Sequence, residues 1–340
     1  MMMEVDKEDK LFFFEKNFFT LDGLWMIETE NETDWDKALI IDSKVWMRLL
    51  EIIVRRIRRY LGIKTKTLKD LVEILTFRWS VEGWNYHIIK NEKEEMAIEI
   101  MSCPYKEAMD RNPERQDKIP LICKDMCISL YDHIVNHFNS NIRIIREKFQ
   151  GLSDSVCTFI FKAKSRDAIS KKRYIPRIIN NEDKLFYFEK NFFTLDGLWI
   201  IEIENELNWS KALEIDIIVW QRLYKIIFRR LIKYLKIKER TLKDLIKILT
   251  FSWSCEGYEY EIINLKEDNA LLQMTHCPYM AAMERNPERH EKMEAICKEM
   301  CIPFFLPAIR EFNPRIKLER SKFIGAGDKI CDFKFKALKE

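Results

Sequence analysis

The chain repeats itself, and that repeat is the strongest constraint on its fold. Glu8–Lys164 aligns with Glu182–Leu338 at a constant offset of 174 residues without a gap, and roughly 55% of aligned positions are identical. The block FEKNFFTLDGLW occurs at Phe14–Trp25 and again at Phe188–Trp199. Two copies of one domain are expected, a first repeat at 8–164 and a second at 182–338, joined by a basic linker at 165–181. Identity vanishes at Lys90–Ser102 against Asn264–His276, which reads as a hairpin arm with an exposed turn. Fusion of a former homodimer keeps the same patch on both copies, so an intramolecular pseudo-dimer about a two-fold axis is expected.

Within one copy, Leu11–Glu30 is apolar and free of proline and reads as one helix or two. Thr33 with Asp36 has the spacing of a capping box before a second helix that runs to Leu61. Thr67 with Asp70 opens a third, TLKDLVEILTF, with Gly83 marking the change to strand. A strand pair is predicted at Trp79–Ile89 and Met96–Cys103. A short helix then starts at Pro104, a longer one covers Lys118–Phe138, and closing strands follow at Ile142–Phe149 and Ser155–Ala163. The expected fold class is α+β, a tandem duplicated domain with helices packed on a small antiparallel sheet in each copy.

Balanced charge, 58 basic against 55 acidic residues for a net +3, creates no field for non-specific phosphate binding, so nucleic acid is not an expected partner. No apolar run approaches membrane-spanning length and the N-terminal stretch lacks a signal-peptide pattern. No membrane association is expected, and a cytoplasmic location follows, in which the nine cysteines act as thiols, thiolates or metal ligands. The eight glycines form no phosphate-cradling motif. None of the five histidines recurs in both copies, so a mechanism working in both cannot use one.

Four cysteines do recur: Cys103, Cys123, Cys127 and Cys157 as Cys277, Cys297, Cys301 and Cys331. Cys123 and Cys127 share a helix face with Ile119, Met126 and Leu130, and Cys157 shares a strand face with Phe159 and Phe161. Three thiols of each copy therefore point to one interior, with Cys103 at a strand end nearby. Core packing, a thiolate site for zinc or an iron–sulfur cluster, and a reactive nucleophile all fit that placement. Asp22, Trp25 and Trp79, with Asp196, Trp199 and Trp253, are retained acids and indoles that either fill the core or line a small-molecule pocket. Glu82 and Glu256 are the retained acids suited to proton transfer. The RNPER segments at Arg111–Arg115 and Arg285–Arg289 read as helix-to-helix turns, and the run Arg55, Arg56, Arg58, Arg59 as a solvated helix end.

The closing segments ERSKFIGAGDKICDFKF at Glu319–Phe335 and REKFQGLSDSVCTFIF at Arg146–Phe161 resemble the L-2-amino-thiazoline-4-carboxylic acid hydrolase-like family. The FFTLDGLW, WSVEGW and CPY blocks resemble related uncharacterised proteins of anaerobes and archaea, and the helix and hairpin order is similar to the small-molecule-binding domain named after vinyl reductase. The first resemblance implies a hydrolase opening a cysteine-derived sulfur heterocycle, and the last implies zinc held by cysteines. Two further functions fit the same residues: a sensor or carrier that binds a ligand without turnover, and a structural zinc or scaffold protein.

Overall fold

The computed structural model describes residues 3–164, 174–285 and 287–338. Most of the linker and Asn286 of the second RNPER segment lie outside them. The first repeat runs α1 (Lys7–Glu32), α2 (Trp35–Tyr60), α3 (Leu68–Glu82), β1 (Asn85–Asn91), β2 (Glu95–Ser102), α4 (Pro104–Asp110), α5 (Ile119–Leu121), a π-turn (Ile122–Met126), α6 (Cys127–Phe138), β3 (Ile142–Ile145) and β4 (Cys157–Ala163). The second runs α7 (Asn181–Glu206), α8 (Trp209–Tyr234), α9 (Leu242–Glu256), β5 (Glu259–Leu265), β6 (Asn269–His276), α10 (Pro278–Glu284), α11 (Met293–Ala295), a π-turn (Ile296–Met300), α12 (Leu306–Phe312), β7 (Ile316–Glu319) and β8 (Cys331–Ala337). Each copy closes a four-stranded antiparallel sheet, ordered β1-β2-β4-β3 and β5-β6-β8-β7. The α+β expectation holds. No helix among the described residues is long and apolar enough to cross a membrane.

Local chemistry explains the boundaries. The capping boxes Thr67 with Asp70 and Thr241 with Asp244 start α3 and α9. Both helices end on a glycine in the left-handed region, Gly83 at φ +87° and Gly257 at φ +89°. That stop lies later than the sequence suggests, so Trp79 through Glu82 are helical and the first strand begins at Asn85. Thr33 closes α1 rather than capping α2, where Asp34 accepts from the Lys37 N–H at 2.8 Å. The continuous helix expected over Lys118–Phe138 is broken by the π-turn, and the closing strands are shorter than expected because each gives way to a tight turn around Gly151 or Gly325.

Two compact units form, one of 39–194 and one of 1–38 with 195–340, and they cut across the sequence repeats. In the discontinuous unit, α1 of the first repeat packs on α8 and α9 of the second. Arg230 donates to the Lys16 carbonyl (2.6 Å), Asn17 (2.6 Å) and Thr20 (2.9 Å), and Tyr234 stacks on Phe12 at 4.0 Å. In the unit 39–194, Arg56 makes the equivalent bonds to Lys190, Asn191 and Thr194 at the start of α7, and Tyr60 stacks on Phe186 at 4.0 Å. Arg56 is therefore a packing residue and not part of a solvated helix end. Near-identical helices present the same face, so a short α1–α2 connection lets each dock on the other copy's body, the exchange seen in domain swapping. The end of the linker is also docked: Tyr174 is buried in the unit 39–194, its phenol 2.6 Å from the Thr76 hydroxyl.

Candidate active site

Cysteines of the first quartet feel one another's charge, with Cys103 placed by the turn into α4. Cys103 is the residue before Pro104 and receives the N–H groups of Tyr105 and Lys106 on its sulfur. Cys123 lies within the π-turn and Cys127 directly follows it, an element found often at functional sites. Cys157 opens β4 and accepts from the Gln150 N–H at 3.2 Å. The four sulfurs lie within electrostatic reach of one another, Cys103 with Cys123 and Cys127, and Cys123 with Cys127 and Cys157. A Cβ added at Gly151 would stand 2.4 Å from the Cys123 sulfur, and one at Gly325 2.5 Å from that of Cys297, which explains why both copies keep glycine there. A cleft of about 200 Å³ beside Cys103 is lined by Met101, Lys106, Gln150 and Asp154 among others. Among the described residues no group of three or more His, Cys, Asp or Glu side chains is arranged to hold a metal ion.

The two quartets differ electrostatically. Burial pushes Cys123 and Cys277 up to about 12, and raises Cys157 and Cys331 as well. Cys301 goes the other way. The Cys297 thiol beside it and the Arg320 guanidinium outweigh its burial and lower it, favouring the thiolate. Arg320 lies over the Phe333 ring at 4.0 Å, which fixes the guanidinium next to the sulfur.

The retained indoles are core. Trp25, Trp79, Trp199 and Trp253 are fully buried. Trp25 and Trp199 stack at 6.1 Å with 3° between planes, and each donates to the other repeat's acid, Trp25 to Asp196 at 2.9 Å and Trp199 to Asp22 at 3.0 Å. These four residues form a reciprocal packing contact within the discontinuous unit. Trp79 donates to Tyr131 at 2.7 Å, whereas the buried Trp253 N–H has no hydrogen-bond partner among the described residues, because Phe305 stands at the equivalent of Tyr131.

The sharpest contrast concerns Glu82 and Glu256. Glu82 is buried and closed by partners: Arg78 Nε at 2.8 Å, Trp84 Nε1 at 2.9 Å, and the Tyr187 hydroxyl. Arg78 also reaches the hydroxyls of Tyr131 (3.4 Å) and Tyr105 (3.5 Å) and lies 5.6 Å from the centre of the Trp46 ring. At the equivalent of Arg78 the second repeat has Ser252. Glu256 accepts from Ser252 at 2.8 Å and Tyr279 at 3.3 Å, and among the described residues no cation pairs with it. Burial without a countercharge raises Glu256 to about 8. Two more acids share this interior. Asp196 is raised to about 7 by burial, against indole hydrogen bonds from Trp25 and Trp220. Asp216 is raised further by burial and by Asp196, and its Oδ1 has no hydrogen-bond partner among the described residues. Tyr224 feels the charges of Glu256, Cys301 and Cys277.

Residues 188–335 match the L-2-amino-thiazoline-4-carboxylic acid hydrolase family model. Residues 4–148 match a family of unknown function (DUF6125). No curated protein and no solved structure matches the chain. The hydrolase match covers the second repeat from within α7 to β8, and so contains Ser252, Glu256, Cys301 and Arg320. Sequence reading chose Glu256 because it is retained, and missed Ser252, Asp216 and Arg320. The signal for Ser252 was available in what is not retained: an arginine four residues before one glutamate and a serine before its copy. Asp216 was visible as an acid amid the apolar residues of LEIDIIVW.

Proposed function

We propose that the chain is a small-molecule hydrolase whose working site is the interior of the second repeat. Glu256 supplies the general acid and base, poised near neutral pH as proton transfer requires. As the acid it protonates the leaving group, and as the carboxylate it then takes a proton from water. Cys301, with Arg320 beside it, supplies the nucleophile that attacks the electrophilic carbon and is released by that water. Glu82 takes no part in this scheme, because Arg78 neutralises it and three donors occupy its carboxylate. The observation that carries the proposal is the replacement of a buried ion pair by an uncompensated glutamate in the repeat that matches the hydrolase family.

The test is hydrolysis of L-2-amino-thiazoline-4-carboxylic acid by the full chain and by E256Q, E82Q and C301S. Loss of turnover of about 10²-fold or more in E256Q, the size expected of a general acid and base, with E82Q near wild type, supports the reading. Equal effects of E256Q and E82Q would refute it. A covalent adduct trapped on Cys301 and detected by mass spectrometry would establish the nucleophile, and turnover retained in C301S would remove it.

A further inference from the structure

We propose that the second repeat carries a site for a soft monovalent metal ion, copper(I) or silver(I), built from the thiols of Cys297 and Cys301 and the thioether of Met280. The site rests on the placement of sulfur and is independent of the hydrolytic reading. Thiolates and thioethers are the donors that select such ions, whereas a structural zinc asks for four donors drawn from thiolate, imidazole and carboxylate groups. Among the described residues no trio of His, Cys, Asp or Glu is arranged for a metal ion, and the third donor here is a methionine.

Comparison of the two copies singles out the second. Its Met280 stands where the first repeat has Lys106. Lys106 is turned to Asp110, which it meets at 2.7 Å, and Cys123 is half-buried. Met280 is buried instead, and its Sδ lies 3.4 Å from the Sγ of Cys297, which is buried as well. Cys297 is also hydrogen-bonded to Cys301, four residues on, at the end of the π-turn. The backbone closes tightly over the Cys297 and Met280 sulfurs. A Cβ added at Gly325 would stand 2.5 Å from Cys297 Sγ and 2.8 Å from Met280 Sδ, so only glycine allows the turn to cover both. Sulfurs bonded to one ion at about 2.3 Å stand roughly 4 Å apart in a trigonal set, so the pair at 3.4 Å has to open by only about half an ångström.

Charge decides the valence. Arg320 lies beside Cys301 and Cys331, its guanidinium over the Phe333 ring at 4.0 Å. In the thiolate form that Arg320 favours, Cys301 accepts from the Cys297 thiol, so the pair holds one proton. A monovalent ion that replaces this proton leaves the charge of the interior unchanged. A divalent ion would add an unanswered positive charge beside the guanidinium, which is costly in a buried setting. Binding therefore exchanges one ion for one proton. The S–H bond of Cys297 breaks, both thiolates bond to the metal, the thioether completes the set, and the proton leaves to solvent.

The test titrates the full chain, reduced and kept under anaerobic conditions, with copper(I) against bicinchoninate as competitor, and with zinc for comparison. Expected are one tight copper(I) equivalent per chain, one proton released per ion by a pH indicator, and an X-ray absorption spectrum that shows sulfur donors only. C297S should weaken the affinity by about 100-fold or more, and M280L by about tenfold or more, at least the range seen when a mere outer partner of a metal ligand is lost. M280L keeps the side-chain volume, so circular dichroism and hydrolytic turnover should match the wild type. C123S, the equivalent change in the first repeat, should leave the tight equivalent intact. Undiminished binding in M280L, equal weakening by C123S and C297S, or zinc held as tightly as copper(I) overturns the proposal. If C301S abolishes turnover while C297S and M280L bind the ion as the wild type does, the nucleophile stands and the ion site falls.

Discussion

The interiors of the two repeats were once the same and now carry opposite electrostatics. In the first, Arg78 pairs with Glu82 and aromatic hydroxyls complete the network, so the charge of Glu82 is answered within the protein. In the second, Glu256, Asp196 and Asp216 share a buried space, all three with raised pKa values, and the nearby Cys301 is lowered. The difference teaches that a filled, satisfied interior serves stability, while an interior holding unanswered charge costs stability and is kept where it does chemistry. The sign of that cost is definite. A glutamate whose folded pKa is raised favours the folded state at low pH, and the advantage is lost as pH rises from the ordinary range near 4.5 to about 8.

The largest expected effect comes from breaking the first interior. Arg78→Ala leaves Glu82 buried without its cation and should cost about 3–5 kcal/mol, whereas Ser252→Ala removes one hydrogen bond from Glu256 and should cost about 1 kcal/mol. Urea unfolding of the two variants measures the difference, and similar losses would mean that the ion pair is not what distinguishes the repeats. A smaller effect sharpens the same contrast. Phe305→Tyr gives the Trp253 N–H the partner that Trp79 has in Tyr131, and should stabilise by about 0.5–1.5 kcal/mol. A loss of stability in that variant would show that the hydroxyl finds no room beside Trp253.

Much of this was readable before any coordinates. Cys123 and Cys127 were placed on one helix face and Cys157 on the inner face of a strand because periodicities of helix and strand are fixed by backbone geometry, and these sulfurs lie within electrostatic reach of one another. Gly151 and Gly325 were visible as turns, but their contact with Cys123 and Cys297 was not, since a turn's neighbour lies far off in sequence. The exchange of α1 and α7 was hidden for a different reason: two helices with the same face fit both bodies equally well, and the sequence cannot say which body each reaches. The α3 boundary was missed because Trp79, Ser80 and Val81 suit a strand locally, while the helix is held to Glu82 by burial and by the left-handed Gly83. Comparing copies only for what they keep also concealed Arg78 and Ser252, where the departure from identity carries the chemistry.

The most direct test is the titration of Glu256 itself. Carbon NMR of the full chain labelled at glutamate carboxyls, recorded from about pH 4 to 9, follows each side chain through its own midpoint. The account predicts one carboxyl with a midpoint near 8, absent from spectra of E256Q and still present in E82Q. If E256Q removes only a signal that titrates in the ordinary carboxylate range, Glu256 is an answered charge like any other and the second repeat is not the working site.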